Sequence, residues 1–238
     1  MSTTGKVAGI VSNLVTVQVD GPVAENELCY IETKGTKLLA EVIKVNADKA
    51  SVQVFESTRG LKGGDKVEFL GRMLEASLGP GLLSSVYDGL QNDLTTMTDV
   101  FLKRGEYTDP LDHEKMWDFT PLAKVGDKVQ AASWLGEVKE GWLPHKIMVP
   151  FSFNGEYTIK SIVEAGSYNI DHVIAVLTDE EGDDVNVTMV QKWPVKVAVK
   201  GYKEKPRPQK IMETGVRVID TFNPIAEGGT GFIPGIAL

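Results

Sequence analysis

A mainly β protein is the fold class that this 238-residue sequence predicts, with a small N-terminal barrel followed by a second β-rich region. Three observations predict it. Apolar and polar residues alternate with a period of two through the first seventy residues, turn residues punctuate that alternation at short intervals, and the same texture returns between about 112 and 190.

The alternation is clearest in LVTVQVD, where Val15, Val17 and Val19 are separated by Thr16, Gln18 and Asp20. It returns in EVIKV at 41–45 and ASVQVF at 50–55, with Asn46, Ala47 and Asp48 as the turn between them. KVEF at 66–69 follows the turn Gly63-Gly64-Asp65. Several short strands at close spacing suggest a small closed barrel. From 71 to 105 the pattern changes. Val86, Leu90, Leu94, Met97 and Phe101 recur at spacings of three and four, which predicts a helical face with Ser84 or Ser85 as N-cap. Gly89 argues against one continuous helix.

The second β-rich region begins with VGDKV at 125–129 and continues through WLGEV at 134–138, HKIMVP at 145–150 and GEYTIKSIVEAGSY at 155–168. That order is similar to a biotinyl or lipoyl carrier domain. The hairpin that would carry the modifiable lysine reads Glu140, Gly141, Trp142, Leu143, Pro144, and Lys146 falls inside a strand, so the architecture is expected without the carrier function. DEEGDD at 179–184 lacks the spaced oxygen ligands and closing glutamate of a calcium loop, and a solvated hairpin turn is the expectation. KEKPRPQK at 203–210 reads as an exposed connector. Beyond it Thr214 is the candidate cap of a short helix GVRVIDTF with Val216, Ile219 and Phe222 on one face, and a short strand is expected around 231–233.

Composition narrows the function classes. A formal net charge of −8 gives no general electrostatic support for a nucleic-acid partner. Cys29 is the only cysteine, which rules out an intrachain disulfide; its apolar neighbours predict a buried, inert thiol and a cytoplasmic setting. The opening MSTTGKVAGIVSN does not have the form of a secretory signal, and no stretch approaches the roughly 20 apolar residues of a membrane helix, so no direct membrane insertion is expected. His113, His145 and His172 lack a helical metal spacing and are expected to be structural, although the first two could meet in space. Ser84 and Ser85 lack a nucleophile-elbow context. Trp117, Trp134, Trp142 and Trp193 are expected to pack the core of the second β region, with a partner surface as the alternative.

Three segments together carry a family resemblance: LGPGLLSSVYDGLQ at 78–91, FTPLAKVGDKVQ with LPHKIMVPFSFNGEYTIKSI at 119–130 and 143–162, and ETGVRVIDTFNPIAEGGTGFIPG at 213–235. In this order they resemble the catalytic A subunit of V-type and archaeal-type rotary ATPases, over nearly the whole chain. The middle segment belongs to the insertion that separates this subunit from its F-type and noncatalytic relatives. The resemblance implies an N-terminal β-barrel at 1–70, a first part of a nucleotide-binding domain at 71–111, an inserted bulge domain at 112–190, and a return to a partial α/β nucleotide-binding domain at 191–238.

It also implies ATP and Mg²⁺ as cofactors of the full-length subunit. The implied partners are noncatalytic B subunits, peripheral-stalk and central-stalk subunits, with a cytoplasmic location peripheral to the membrane. The implied activity is ATP hydrolysis or synthesis coupled to rotary proton or sodium transport. Gly235 matches the first glycine of the family's phosphate loop, whose amides wrap the phosphates ahead of a Gly-Lys-Thr ending. Here Ile236, Ala237 and Leu238 follow instead. The expectation is therefore a chain truncated at that loop, with no catalytic and no metal-binding residue of its own, inactive by itself. The alternative is a stand-alone copy acting as a noncatalytic subunit-interaction module.

Overall fold

The computed structural model describes residues 3–96, 101–199 and 207–232. The chain divides into two units, Met1–Val199 and Lys200–Leu238.

The first unit starts with six strands: β1 (Thr4–Val11), β2 (Leu14–Val19), β3 (Leu28–Thr33), β4 (Thr36–Asn46), β5 (Lys49–Val54) and β6 (Lys66–Phe69). They close an antiparallel barrel in the order β1-β2-β5-β4-β3-β6, with β6 pairing back onto β1 through Gly5↔Val67. Closure leaves no strand edge open to other chains. The period-two pattern of β2 puts Val15 and Val17 fully inside, where Ile31, Leu38, Val52 and Phe69 meet them. Full burial of each such side chain contributes about 1.5–3 kcal/mol. Cys29 shares this core, and burial pushes its thiol up to about 12, so it stays protonated and unreactive at neutral pH.

After the barrel comes β7 (Glu75–Leu78), and then no helix forms among the described residues of the expected helical stretch 86–101. Asp88 is the reason. Its Oδ1 accepts from the amides of Leu90 (2.9 Å) and Asn92 (2.8 Å), and its Oδ2 accepts from Asn92 Nδ2 (2.8 Å). A short acidic side chain that captures nearby amides competes directly with helical pairing. The chain doubles back instead, with Leu94 N donating to Val86 O at 2.9 Å and Tyr87 bridging Asp93. Val86 and Phe101 are exposed while Leu90 and Leu94 are half-buried, so the expected apolar residues do not share one covered face; Met97 lies outside the described residues. Ser84 adopts a left-handed φ of 67° and caps no helix.

Eight strands then build the barrel-sandwich: β8 (Trp117–Pro121), β9 (Lys128–Val129), β10 (Trp134–Glu140), β11 (Leu143–Met148), β12 (Tyr157–Ile162), β13 (Gly166–Tyr168), β14 (Ala175–Thr178) and β15 (Asp184–Val187). One sheet has the order β11-β10-β8-β13 and the other β15-β14-β12-β9. Phe119, Leu135, Val138, Ile159, Ile174 and Leu177 fill the space between them. DEEGDD forms the expected hairpin turn, closed by Asp179, whose Oδ1 accepts from Glu181 N (3.0 Å) and Asp183 N (2.8 Å). Lys146 on β11 pairs with Glu137 and lies over the Trp134 ring, a packed strand residue and no carrier lysine.

The expectation that four tryptophans form this core needs correction. Trp117 is 6% exposed, but Trp134 and Trp142 are 59% and 89% exposed. Trp142 sits at the β10–β11 hairpin tip, and Trp193 packs edge-on against Phe151 at 5.7 Å. Trp193 belongs to β16 (Gln191–Pro194), which pairs antiparallel with β7 through Gln191↔Leu78 and Trp193↔Ala76. The chain therefore enters and leaves the sandwich side by side.

In the second unit α1 (Arg217–Phe222) forms, two residues shorter than GVRVIDTF, and Thr214 is not its N-cap. The helix begins after Val216 without a side-chain cap, and Asp220 reaches back to Thr214 Oγ1 (2.5 Å), Thr214 N (3.1 Å) and Gly215 N (3.0 Å). These hydrogen bonds, led by the Thr214 hydroxyl, hold the Asp220 carboxyl below its usual range. Gly231 and Phe232 form no strand, and Ile233 lies outside the described residues.

Gly136 on β10 marks the tightest point of the sandwich: a Cβ there would lie 2.3 Å from the Phe119 ring and 2.8 Å from Thr120 O. Gly136→Ala should destabilise the sandwich by about 1–3 kcal/mol. Urea unfolding followed by tryptophan fluorescence checks this, because every tryptophan lies at or beyond 117 and the barrel has none.

Candidate functional site

The segment LGPGLLSS, which carried part of the family resemblance, is held by a single carboxylate. Glu140 ends β10, and the alternation that places Val138 inside places Glu140 inside as well, at 5% exposure. Its Oε1 accepts from Gly81 N (2.6 Å) and Leu83 N (3.1 Å), and its Oε2 shares a 2.6 Å hydrogen bond with His145 Nδ1. A buried carboxylate needs such partners, since an unpaired one would carry a large desolvation penalty. Gln91 fixes the other end of the segment by bonding both the N–H and the C=O of Ser77, at 2.8 Å each.

A cleft of about 660 Å³ lies between the barrel, this segment and the sandwich, lined by Tyr30, Arg72, Gln91, Tyr107, His113 and Lys192 among others. His113 clasps two elements at its edge: Nδ1 lies 2.7 Å from Asp171 Oδ2, and Nε2 lies 3.1 Å from Asp109 Oδ2. The Asp171 hydrogen bond, helped by Asp109, raises the His113 pKa above its ordinary value. His145 is engaged with Glu140 and His172 stacks on Tyr168 at 4.7 Å, so each histidine has its own partner and His113 and His145 do not pair.

The segment's far end docks on the barrel. Tyr107 Oη accepts from Leu39 N at 2.8 Å, and burial pushes its phenol up to about 12. Glu56 accepts from Gly105 N at 3.0 Å, and Arg104 Nη1 donates to Arg59 O at 2.6 Å. Gly105 has a φ of 74°, and a Cβ there would sit 2.3 Å from Thr36 Cγ2, so the close approach requires glycine. On the outgoing side, Lys196 Nζ lies 2.8 Å from the buried Glu41 Oε1 and 2.9 Å from Asn26 Oδ1.

Chemically, these arrangements position backbone and bring no nucleophile to a base. Among the described residues no group of three His, Cys, Asp or Glu side chains is placed to hold a metal ion. Gly235, the expected start of the phosphate loop, lies outside the described residues. Sequence reasoning passed over Glu140, Glu56 and the Lys196–Glu41 pair. Glu140 alone left a trace, an acid in phase with the inward residues of its strand. The amides it serves are distant in sequence and left none.

Two family models match the chain: the ATP synthase alpha/beta family beta-barrel domain over residues 7–71, and the ATP synthase alpha/beta subunit barrel-sandwich domain over 108–196. The V-type ATP synthase alpha chain of Borrelia garinii subsp. bavariensis is 48% identical over 238 residues, 99% of this chain and 41% of that protein. The chain belongs to the ATP synthase alpha/beta family. Within that family, the Borreliella burgdorferi V-type ATP synthase alpha chain is also 48% identical over 99% of this chain and 41% of its own length. The Treponema denticola V-type ATP synthase alpha chain is 47% identical over 236 residues, covering 98% of this chain and 40% of that protein. This member thus spans about two fifths of the length of the relatives it matches.

Two predictions test the anchoring. Glu140→Ala should cost about 1–3 kcal/mol for each amide left without an acceptor. Hydrogen exchange checks it, with Gly81 and Leu83 losing protection while the barrel strands keep theirs; Glu140→Gln, which retains an acceptor, should be milder. The His113 clasp should be fully present below the unfolded histidine pKa of about 6.5 and be lost as pH rises through the higher folded value. An NMR titration of the His113 ring should give a midpoint above that of His113 in Asp171→Asn.

Proposed function

We propose that this chain is the N-terminal part of the catalytic subunit of a V-type rotary ATPase or ATP synthase. The whole subunit then couples ATP hydrolysis or synthesis to rotary proton or sodium transport. The observation that carries this reading is the 48% identity to V-type ATP synthase alpha chains over 99% of the chain. In this reading 1–70 is the barrel, 112–190 the inserted bulge domain, and 71–111 with 191–238 the beginnings of the nucleotide-binding domain. The pairing of β7 with β16 supports the insertion, since an inserted domain needs its two ends adjacent.

ATP and Mg²⁺ are the proposed cofactors of the whole subunit, with the phosphate-binding amides beginning at Gly235. No Gly-Lys-Thr triplet occurs in these 238 residues, and the lysine and threonine supply the charge and the Mg²⁺-directed hydroxyl that such a loop requires. The proposed partners are noncatalytic B subunits and the peripheral- and central-stalk subunits. The complex would hold the chain at the cytoplasmic face of the membrane, consistent with the finding that no described helix is long and apolar enough to cross one.

Calorimetry on the 238-residue chain should give no heat of Mg-ATP binding, and tight binding would overturn the assignment of the phosphate site. The coding sequence downstream of the Gly235 codon should continue into a Gly-Lys-Thr loop. An open frame running on into unrelated sequence would sink the family function for this gene.

A further inference from the structure

The crossing from β11 to β12 contains Asn154 directly before Gly155, the one Asn-Gly pair in the sequence. Both flanks of that pair are pinned. Phe151 N donates to Gln191 Oε1 at 3.0 Å, and Phe153 N donates to Pro150 O at 3.1 Å. The Phe153 ring lies 5.1 Å from that of Tyr157, which pairs with Val129. The tip between these anchors is lightly held. Asn154, Gly155 and Glu156 are exposed, and Asn154 Nδ2 reaches Ser152 O at 3.4 Å, beyond the usual hydrogen-bond range. No acceptor among the described residues takes the Gly155 amide, and a Cβ on Gly155 would meet nothing within 4 Å. The Gly155 nitrogen is therefore unpaired and open to approach, with no side chain on its own residue to screen it.

The other asparagines differ. Asn92 is buried, donates to Asp88 Oδ2 and accepts from Thr108 N. Asn26 accepts from Lys196 Nζ, and Asn169 accepts from His172 N. Asn13, Asn46 and Asn186 precede Leu14, Ala47 and Val187, whose side chains crowd the following amide nitrogen. Asn223 precedes Pro224, which has no N–H to give up.

We propose that Asn154 is a site of spontaneous covalent modification, its side-chain amide closing onto the Gly155 nitrogen. A bond forms between Gly155 N and Asn154 Cγ while the Cγ–Nδ2 bond breaks. Nδ2 leaves as ammonia, carrying the proton of the Gly155 amide. Water then opens the cyclic imide: attack at the side-chain carbonyl gives aspartate, and attack at the main-chain carbonyl gives isoaspartate. One water is consumed for each ammonia released, and nothing is oxidised or reduced. Either product adds a negative charge close in sequence to Glu156, which already pairs with Lys128 on the short edge strand β9. Isoaspartate also adds a methylene to the main chain between the Phe153 and Tyr157 anchors.

The test warms the folded 238-residue chain at mildly alkaline pH beside the free peptide Phe-Asn-Gly-Glu-Tyr, acetylated and amidated at its ends. Peptide mapping by mass follows the gain of one mass unit, and isoaspartyl methyltransferase counts the isoaspartate. With the tip unprotected, Asn154 in the folded chain should convert within about tenfold of the free peptide's rate. Both products should form, no other asparagine should convert first, and Asn154→Gln should remove the gain from that segment. A rate more than about tenfold below the peptide's would mean that the fold guards the turn, and would overturn the proposal. So would earlier conversion at another asparagine, aspartate without isoaspartate, or a gain that persists in Asn154→Gln.

Discussion

The stretch from 79 to 116 has no regular secondary structure among its described residues, yet it packs between two β domains, and its amides must find acceptors. Side chains supply them. Glu140 takes Gly81 and Leu83, Asp88 takes Leu90 and Asn92, Asn92 takes Thr108, and Glu56 takes Gly105. This one requirement links barrel, connection and sandwich, because the acceptors come from all three. Acidic residues do this better than neutral ones, since a hydrogen bond to a charged acceptor is about twice as strong.

The two β domains meet their own backbone demands differently. The barrel closes on itself, so β6 returns to β1 and every strand has two neighbours. The sandwich leaves β11, β13, β15 and β9 at its edges and relies on a core between two sheets. It is stitched to the rest of the first unit by the β7–β16 ribbon and the Lys196–Glu41 pair. Breaking that pair from the Glu41 side removes a largely buried charge together with its partner's role, whereas losing Lys196 alone would leave Glu41 unpaired, the costlier change.

Where periodicity decides structure, the sequence was readable: β2, β5 and β6 follow from alternation, and the VGD turn and the DEEGDD hairpin follow from their turn residues, whereas β4 extends well before the 41–45 stretch and buries five residues in a row. Among the described residues of 86–101 the predicted helix failed because its spacing was right but its side chains were not; Asp88 and Asn92 bond their own neighbourhood first. Thr214 misled in a related way, since the acceptor that organises that turn is Asp220 from within the helix. Trp134 and Trp142 were expected in the core of the region they flank, but Trp134 stands beside a register shift at the start of β10 and Trp142 at the hairpin tip, and both are exposed. The anchoring carboxylates depend on contacts between distant residues, 59 positions apart for Glu140 and Gly81, which no local pattern encodes.

Because Leu78 and Gln191 stand directly opposite one another in the ribbon, the sandwich hangs on the barrel side like a cartridge with both leads on one edge. Antiparallel partners lie about 4.5–5.5 Å apart, a gap that a two-residue turn spans. Replacing everything between them with such a turn would preserve the ribbon's geometry but strip the barrel of Tyr107 and Gly105, leaving the Leu39 amide and the Glu56 carboxylate to water. The module is therefore separable in its topology while remaining soldered to its neighbour by a few polar contacts, and a graft of this domain onto another ribbon would have to carry those contacts with it.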